Sequence, residues 1–272
     1  MACSTDPRVG TALGTPKSAM PFFYLYDSFL QDRAYATALI KLETTLADLG
    51  IQGRIGRLTL LKSVRDIVEA AIRDGADTIV AVGNDTTMSQ VSGVLLKHPK
   101  VTLGFIPLGN NQQTLAEILG IPVGTIACHV LSSRLTSVVN MGKIGTVHFL
   151  QSLTTAGSVA IECDRSFRLE LKHPHQVRIC NLDRWSEDGE LTPPDAGKLE
   201  VVVREVLERR GLFGNKNSSG SLTHIPAKEI KLTSLGDELA LIVDGYRTLK
   251  TPATITVVPK ALKLIVGKKR AL

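Results

Sequence analysis

Two stretches of this chain join an apolar run to a short polar turn built from Gly, Asn, Asp and Thr. The first is Val80-Ala81-Val82 followed by Gly83-Asn84-Asp85-Thr86-Thr87. A glycine lets the backbone turn and come close to a ligand. A helix starting there offers unpaired N–H groups and partial positive charge, which suits phosphate. Asp85 is the carboxylate of the turn, able to hold Mg²⁺ or to accept a proton from a hydroxyl. Thr86 and Thr87 can cap the helix or bind phosphate oxygens. The plain alternative is an ordinary β–α turn with Asp or Thr as its N-cap, and local sequence leaves both readings open.

The second stretch runs Leu103-Gly104-Phe105-Ile106-Pro107-Leu108-Gly109-Asn110-Asn111-Gln112-Gln113. It again ends a buried-type strand in a Gly/Asn loop before a helix. In an open parallel sheet, ligands bind outside the carboxyl ends of the strands. Two such turns about 25 residues apart are expected side by side at one sheet edge. A third segment, Ile242-Val243-Asp244-Gly245-Tyr246, is first of all a hairpin signal. His173 and His175 flank Pro174 and read as exposed residues between strands rather than a metal pair. Gly211-Leu212-Phe213-Gly214-Asn215-Lys216 reads as a loop without the helices of a nucleic-acid module, so no nucleic-acid partner is expected. No P-loop, G-x-G-x-x-G or G-x-S-x-G pattern occurs.

The elements that must position these turns follow from periodicity. Phe22–Tyr26, Ile51–Ile55, Thr78–Val82 and Val101–Ile106 read as strands. Apolar stripes at Tyr35, Leu39, Leu42, Leu46 and Leu49, and at Val64, Ile67, Val68, Ala71 and Ile72, read as helices. Further helical patterns start at Met88, Leu115 and Ile126. Ser63 and Asp66 have capping-box spacing. This alternation implies a parallel sheet with helices on both faces. Beyond Val138 mostly strands remain: 146–153, 158–163, 167–171, 176–181, 199–206, 229–232, 239–243 and 253–258. Residues 183–198 and 209–228 read as loops. The expected organisation is a flexible tail at 1–20, an α/β nucleotide-binding domain at 21–137 and an all-β sandwich domain at 138–272, whose last residues return to the first domain.

The chain has 272 residues, a net charge of +6 and 43% hydrophobic residues. That content is enough for a core and argues against disorder. A basic balance suits anionic partners such as nucleotide phosphates or an acidic membrane surface. Lys260, Lys263, Lys268, Lys269 and Arg270 sit among apolar residues near the C-terminus, where contact with acidic lipid head groups is one reading. Cys3, Cys128, Cys163 and Cys180 form no C-x-x-C pair and read as reduced thiols. No secretory leader or membrane-spanning run is apparent. The expected location is the cytoplasm, in peripheral contact with the inner membrane face, and oligomer formation is left open.

Together these segments resemble the diacylglycerol kinase catalytic-domain family, which includes bacterial lipid kinases and sphingosine kinases. The resemblance spans roughly residues 22 to 267. Gly83-Asn84-Asp85-Thr86-Thr87 falls where the family has Gly-Gly-Asp-Gly-Thr. Pro107-Leu108-Gly109-Asn110-Asn111, leading to Leu119-Gly120-Ile121-Pro122, falls where it has Pro-x-Gly-Thr-x-Asn-Asp and Leu-Gly-Ile-Pro. Asp244-Gly245-Tyr246 falls at its Asp-Gly-Glu hairpin, and Tyr26-Asp27-Ser28-Phe29 at its early Asn-Pro-x-Ser-Gly turn. The resemblance implies ATP- and Mg²⁺-dependent phosphorylation of a lipid hydroxyl, such as that of diacylglycerol, in a cleft between two domains. It implies Asp85 as the motif aspartate, with Gly83, Asn84, Thr86, Thr87, Gly109, Asn110 and Asn111 around the phosphates. It implies Asp244 as the second carboxylate, with Asp85 and Asp244 near metal. Asn84, Thr86 and Tyr246 depart from the family pattern, and these departures keep a catalytically degenerate nucleotide- or lipid-binding protein as the alternative. NAD kinase, with a related motif, is less favoured.

Overall fold

The apolar runs without alternation become the middle of a parallel sheet, where both faces are covered. The computed structural model describes residues 21–59, 61–109, 113–183, 197–205 and 222–272. The first unit contains β1 (Phe22–Tyr26), α1 (Ala36–Asp48), β2 (Arg54–Arg57), α2 (Val64–Arg73), β3 (Thr78–Gly83), α3 (Asp85–Leu95), β4 (Thr102–Pro107), α4 (Thr114–Ile118) and α5 (Ala127–Ser133). All five residues of β1 and all six of β3 are buried. The strand order β2-β1-β3-β4 is parallel throughout.

Strands dominate the rest: β5 (Thr136–Ile144), β6 (Val147–Phe149), β7 (Ser152–Cys163), β8 (Phe167–Cys180), β9 (Leu199–Glu205), β10 (Leu222–Ala227), β11 (Glu229–Ser234), β12 (Ala240–Val243), β13 (Arg247–Lys250) and β14 (Ala253–Ile265). These pair antiparallel and enclose their own core, which includes Phe149, Leu153, Ile161, Ile179, Val201, Ile230 and Ile255. The chain is therefore an α/β sheet layered with helices, followed by a strand-rich second unit.

The two units share backbone. β14 pairs antiparallel with β11 and β5, and Leu264 pairs parallel with Leu103 of β4. Its register with β5 shifts between Val258 and Leu262. There Lys260 adopts a left-handed φ of 49°, the mark of a bulge that bends a strand. Leu262, Leu264, Ile265 and Val266 thereby enter the first unit's core, alongside Val139 and Met141 of β5.

Several segments differ from the sequence expectation. β5 was not foreseen, and β10 lies in the stretch read as a loop. The segment 146–153 divides between β6 and the start of β7, whose end is the segment 158–163, and the segments 167–171 and 176–181 are joined in β8 through His173, Pro174 and His175. A β-bulge between Gly157 and Val159 breaks the β7–β8 register, which is why each half alone carried the alternation. Asn110 and Asn111 lie outside the described residues, as do Cys3 and residues 211–216. Cys128, Cys163 and Cys180 are buried and free. Among the described residues no helix is long and apolar enough to cross a membrane.

One close approach limits the second unit. Gly142 of β5 pairs with Phe149 of β6, and a Cβ at Gly142 would fall inside the Phe149 ring. Phe149 is fully buried, so the ring has no free space to yield. Gly142→Ala is expected to lower stability by about 2 kcal/mol, read as a drop in the urea midpoint. Adding Phe149→Leu should recover part of it, and an unchanged midpoint in the single variant would contradict the packing described.

Candidate active site

Parallel pairing brings the carboxyl ends of β1, β3 and β4 into one row. Tyr26 is in register with Val82, and Gly83 with Pro107. The chain leaving each strand is tied to its neighbour: Asp27 N–H donates to Val82 O (3.0 Å) and Leu108 N–H to Gly83 O (2.8 Å). The two polar turns therefore meet, as their spacing predicts. The Tyr26-Asp27-Ser28-Phe29 turn joins them from β1.

At the first turn, Asn84 is the N-cap of α3. Its side-chain oxygen accepts from Thr87 N–H (3.1 Å), and Thr87 Oγ1 accepts from Asn84 N–H (3.2 Å). Thr87 Oγ1 also donates to Asp27 Oδ2 at 2.6 Å. Gly83 makes this possible. A Cβ there would collide with Thr87 Oγ1 and sit 3.0 Å from the Asp27 Cβ. Thr86 occupies the first turn of α3, between Asp85 and Thr87. At the second turn Gly109 has φ 114°, and its carbonyl accepts from Gln113 Nε2 at 2.6 Å.

Asp85 is the first residue of α3 and is 1% exposed. Its Oδ2 accepts from Leu115 N–H at the start of α4 (3.2 Å) and from Gln151 Nε2 (2.9 Å). Its Oδ1 is buried without a protein partner. Burial pushes the carboxyl up to about 7, against the N–H groups of Leu115 and Thr114 and the Gln151 amide, which favour the charged form. A buried carboxyl balanced near neutrality is a hallmark of functional sites.

Asp244 occupies the tight turn between β12 and β13, as the hairpin signal predicts. Asp244 and Gly245 both have left-handed φ, 46° and 71°. The carboxylate turns inward. Oδ2 accepts from Leu150 N–H (2.9 Å), and Oδ1 from Gln151 N–H (2.9 Å) and Ser152 N–H (3.1 Å). Burial raises this carboxyl to about 6, opposed by those three N–H groups.

Asp85 and Asp244 thus hold opposite ends of one residue. Gln151 gives its backbone N–H to Asp244 and its side-chain amide to Asp85. Gln151 is the site residue that sequence reasoning missed. It sits in a short apolar stretch, Phe149-Leu150-Gln151, with nothing in its spacing to mark it. His173 and His175, by contrast, lie in β8 away from these turns, and among the described residues no cluster of three His, Cys, Asp or Glu could hold a metal.

A parallel sheet with polar turns at its carboxyl edge is closed by a strand-rich unit that delivers an amide to a buried aspartate. Comparison with known proteins shows what this arrangement is similar to. Residues 30–144 match the model of the diacylglycerol kinase catalytic domain. No curated protein matches the chain. A putative diacylglycerol kinase from Bacillus anthracis str. Sterne superposes with a TM-score of 0.72 at 18% identity, over 93% of this chain and 99% of that one. A second structure from that organism, a diacylglycerol kinase, gives 0.69 at 19% identity, over 92% and 97%. An NAD kinase from Archaeoglobus fulgidus in complex with ATP gives 0.53 at 12% identity, over 92% and 95%. The resemblance drawn from the motifs therefore holds by sequence over residues 30–144, and the fold is that of the diacylglycerol kinases along nearly the whole chain.

Two outcomes follow from the buried carboxyls. Asp85 has its folded-state value raised from 3.8 to about 7. Its stabilising contribution is therefore complete below pH 4 and is lost as pH rises through 7. Asp85→Asn should be more stable than the parent at pH 8, by on the order of 3 kcal/mol. The gain should vanish at pH 4 in thermal melts of the metal-free protein, and a pH-independent difference would contradict the burial described. Asp244→Ala should cost about 3 kcal/mol, because three N–H groups lose their acceptor. Amide exchange at Leu150, Gln151 and Ser152 should accelerate more than in the rest of β7.

Proposed function

We propose that this protein is an ATP- and Mg²⁺-dependent phosphotransferase acting on a lipid hydroxyl, such as that of diacylglycerol. The observation that carries the reading is Asp85 Oδ1. It is a buried carboxylate oxygen with no protein partner, at the carboxyl edge of the sheet, on a carboxyl poised near neutral pH. In this reading Asp85 accepts the hydrogen bond of the acceptor hydroxyl and orients it for in-line attack. Gln151 fixes the carboxyl through its other oxygen. The nucleotide's phosphates would meet the turns at Gly83 and Gly109, with Asn84, Thr86, Thr87, Asn110 and Asn111 around them. The rest of the nucleotide would extend from these turns toward the cleft of about 710 Å³ beyond β1 and β2, bounded by Ser28, Thr59, Lys62, Ser63 and Gln90.

Mg²⁺ fits Asp85 but not Asp244. Asp85 Oδ1 is the carboxylate oxygen that this site leaves unpaired, whereas both oxygens of Asp244 are taken by backbone N–H groups. A single carboxylate with substrate phosphates is an ordinary Mg²⁺ set. The ion, when bound, neutralises charge on the transferring phosphate. Asp244 acts through Gln151 as a positioning residue.

A second reading is favoured by one specific arrangement. Asn84 and Thr87 cap α3 with each other, and the Asp27 carboxylate accepts from the Thr87 hydroxyl. These groups occupy donors that a phosphate would use, which suits a protein that binds nucleotide or lipid without turnover. Incubation with γ-labelled ATP, Mg²⁺ and a lipid extract separates the two. The phosphotransferase reading expects label in the lipid phase, and a loss of about 100-fold or more in Asp85→Ala. Calorimetric ATP binding with no transfer to any lipid would favour the second reading instead.

A further inference from the structure

A cleft separate from the phosphate turn opens where the two units meet further along α3. It measures about 440 Å³ and is bounded by Ser63 and Arg65 of the α2 start, Gln90 of α3, His148 of β6, and Tyr246 and Arg247 of the β12–β13 turn. Gln90 is five residues beyond Asp85, which puts it roughly 7.5 Å along the helix axis.

The charge of this cleft is one-sided. Arg65 and Arg247 line it, and no Asp or Glu does. Neither arginine has an ion-pair partner among the described residues, and Arg247 rests 5.6 Å from the centroid of the Tyr246 ring. Asp66 is the nearest acid along α2, and it is already bonded to the Ser63 hydroxyl at 2.7 Å as the α2 cap. At position 246, where the motif comparison expects Glu, a phenol stands, and the one carboxylate of the turn, Asp244, faces inward onto the N–H groups of Leu150, Gln151 and Ser152. His148 is held below its ordinary value by burial and by the neighbouring Lys143, so its ring is neutral and ready to gain a proton if an anion arrives. Space is open as well: a Cβ on Gly93, which also borders the cleft, would meet nothing within 4 Å.

We propose that this cleft is a binding site for a phosphate monoester. Two guanidinium forks match the oxygens of a tetrahedral anion. A monoester carries close to two negative charges at neutral pH, which the two arginines balance. Gln90, Tyr246 and protonated His148 supply further donors. The chemistry is shared by a phosphorylated lipid headgroup and by a small soluble phosphate. The site shares Ser63 and Gln90 with the proposed nucleotide cleft, but Arg65, His148, Tyr246 and Arg247 are its own, and it does not depend on phosphoryl transfer at Asp85.

The test is calorimetry with inorganic phosphate and with dihexanoyl phosphatidate, using dihexanoylglycerol as the neutral control. The His148 ring signal is followed by NMR in parallel. Both Arg65→Gln and Arg247→Gln are expected to weaken binding roughly tenfold or more. Gly93→Leu, which fills the cleft from a helical position and leaves every charge in place, is expected to abolish binding while far-UV dichroism and the urea midpoint hold. His148 should titrate at higher pH in the presence of ligand, in the parent protein and not in Gly93→Leu. Binding of phosphatidate alone would identify a lipid headgroup as the ligand, and equal binding of both compounds would show that the phosphate suffices. The proposal is overturned if neither compound binds at up to about 10 mM, or if folded Gly93→Leu and both arginine variants bind as the parent does.

Discussion

The donation of three consecutive N–H groups into the Asp244 carboxylate is the contact on which the site depends. Leu150, Gln151 and Ser152 leave β6 and enter β7 at this point, and their amides converge on one buried side chain. Without that acceptor the turn would bury unsatisfied donors, an arrangement that native proteins seldom tolerate. With it, Gln151 has a fixed backbone, and its amide reaches Asp85 across the boundary between units. Two carboxyls from different halves of the chain are thereby held in a set relation, although neither touches the other. The cost is the burial of two acids, and it shows in the upward shift of both.

The first unit was legible because its signals are local. Phe22–Tyr26 and Thr78–Val82 are continuous apolar runs, and a strand covered on both faces needs nothing else. The Ser63–Asp66 cap formed as its spacing predicted. The paired turns at Gly83 and Gly109 met because adjacent parallel strands must bring their ends together. The start of α3 was misplaced by three residues, since Asp85 and Thr86 carry no apolar periodicity although both are helical.

The second unit was less legible because its strands are long and interrupted. β8 runs through Lys172-His173-Pro174-His175, a stretch with the composition of a loop, and the irregularity opposite Gly157 absorbs it. β10 contains His224 and Pro226 and is held by pairing with β9, a long-range contact that no window of sequence reports. Gln151 was invisible for a related reason. Its role comes from two partners, 66 and 93 residues away, and glutamine has no motif of its own. Asp244 was read correctly as a hairpin residue, while its inward-facing carboxylate required the structure.

The bend at Lys260 gives β14 a mechanical meaning. Two-lobed enzymes commonly admit substrate by rotating their lobes about a flexible connection. Here β14 is laddered to β11 in one half, to β5 on both sides of the bulge, and through Leu264 to β4 in the other half. Swinging the halves apart would shear hydrogen bonds in the interior of a sheet. Any opening between the halves must therefore bend β14 and β5 at the Lys260 bulge or break their pairing, so the register of these two strands sets the spacing between the halves.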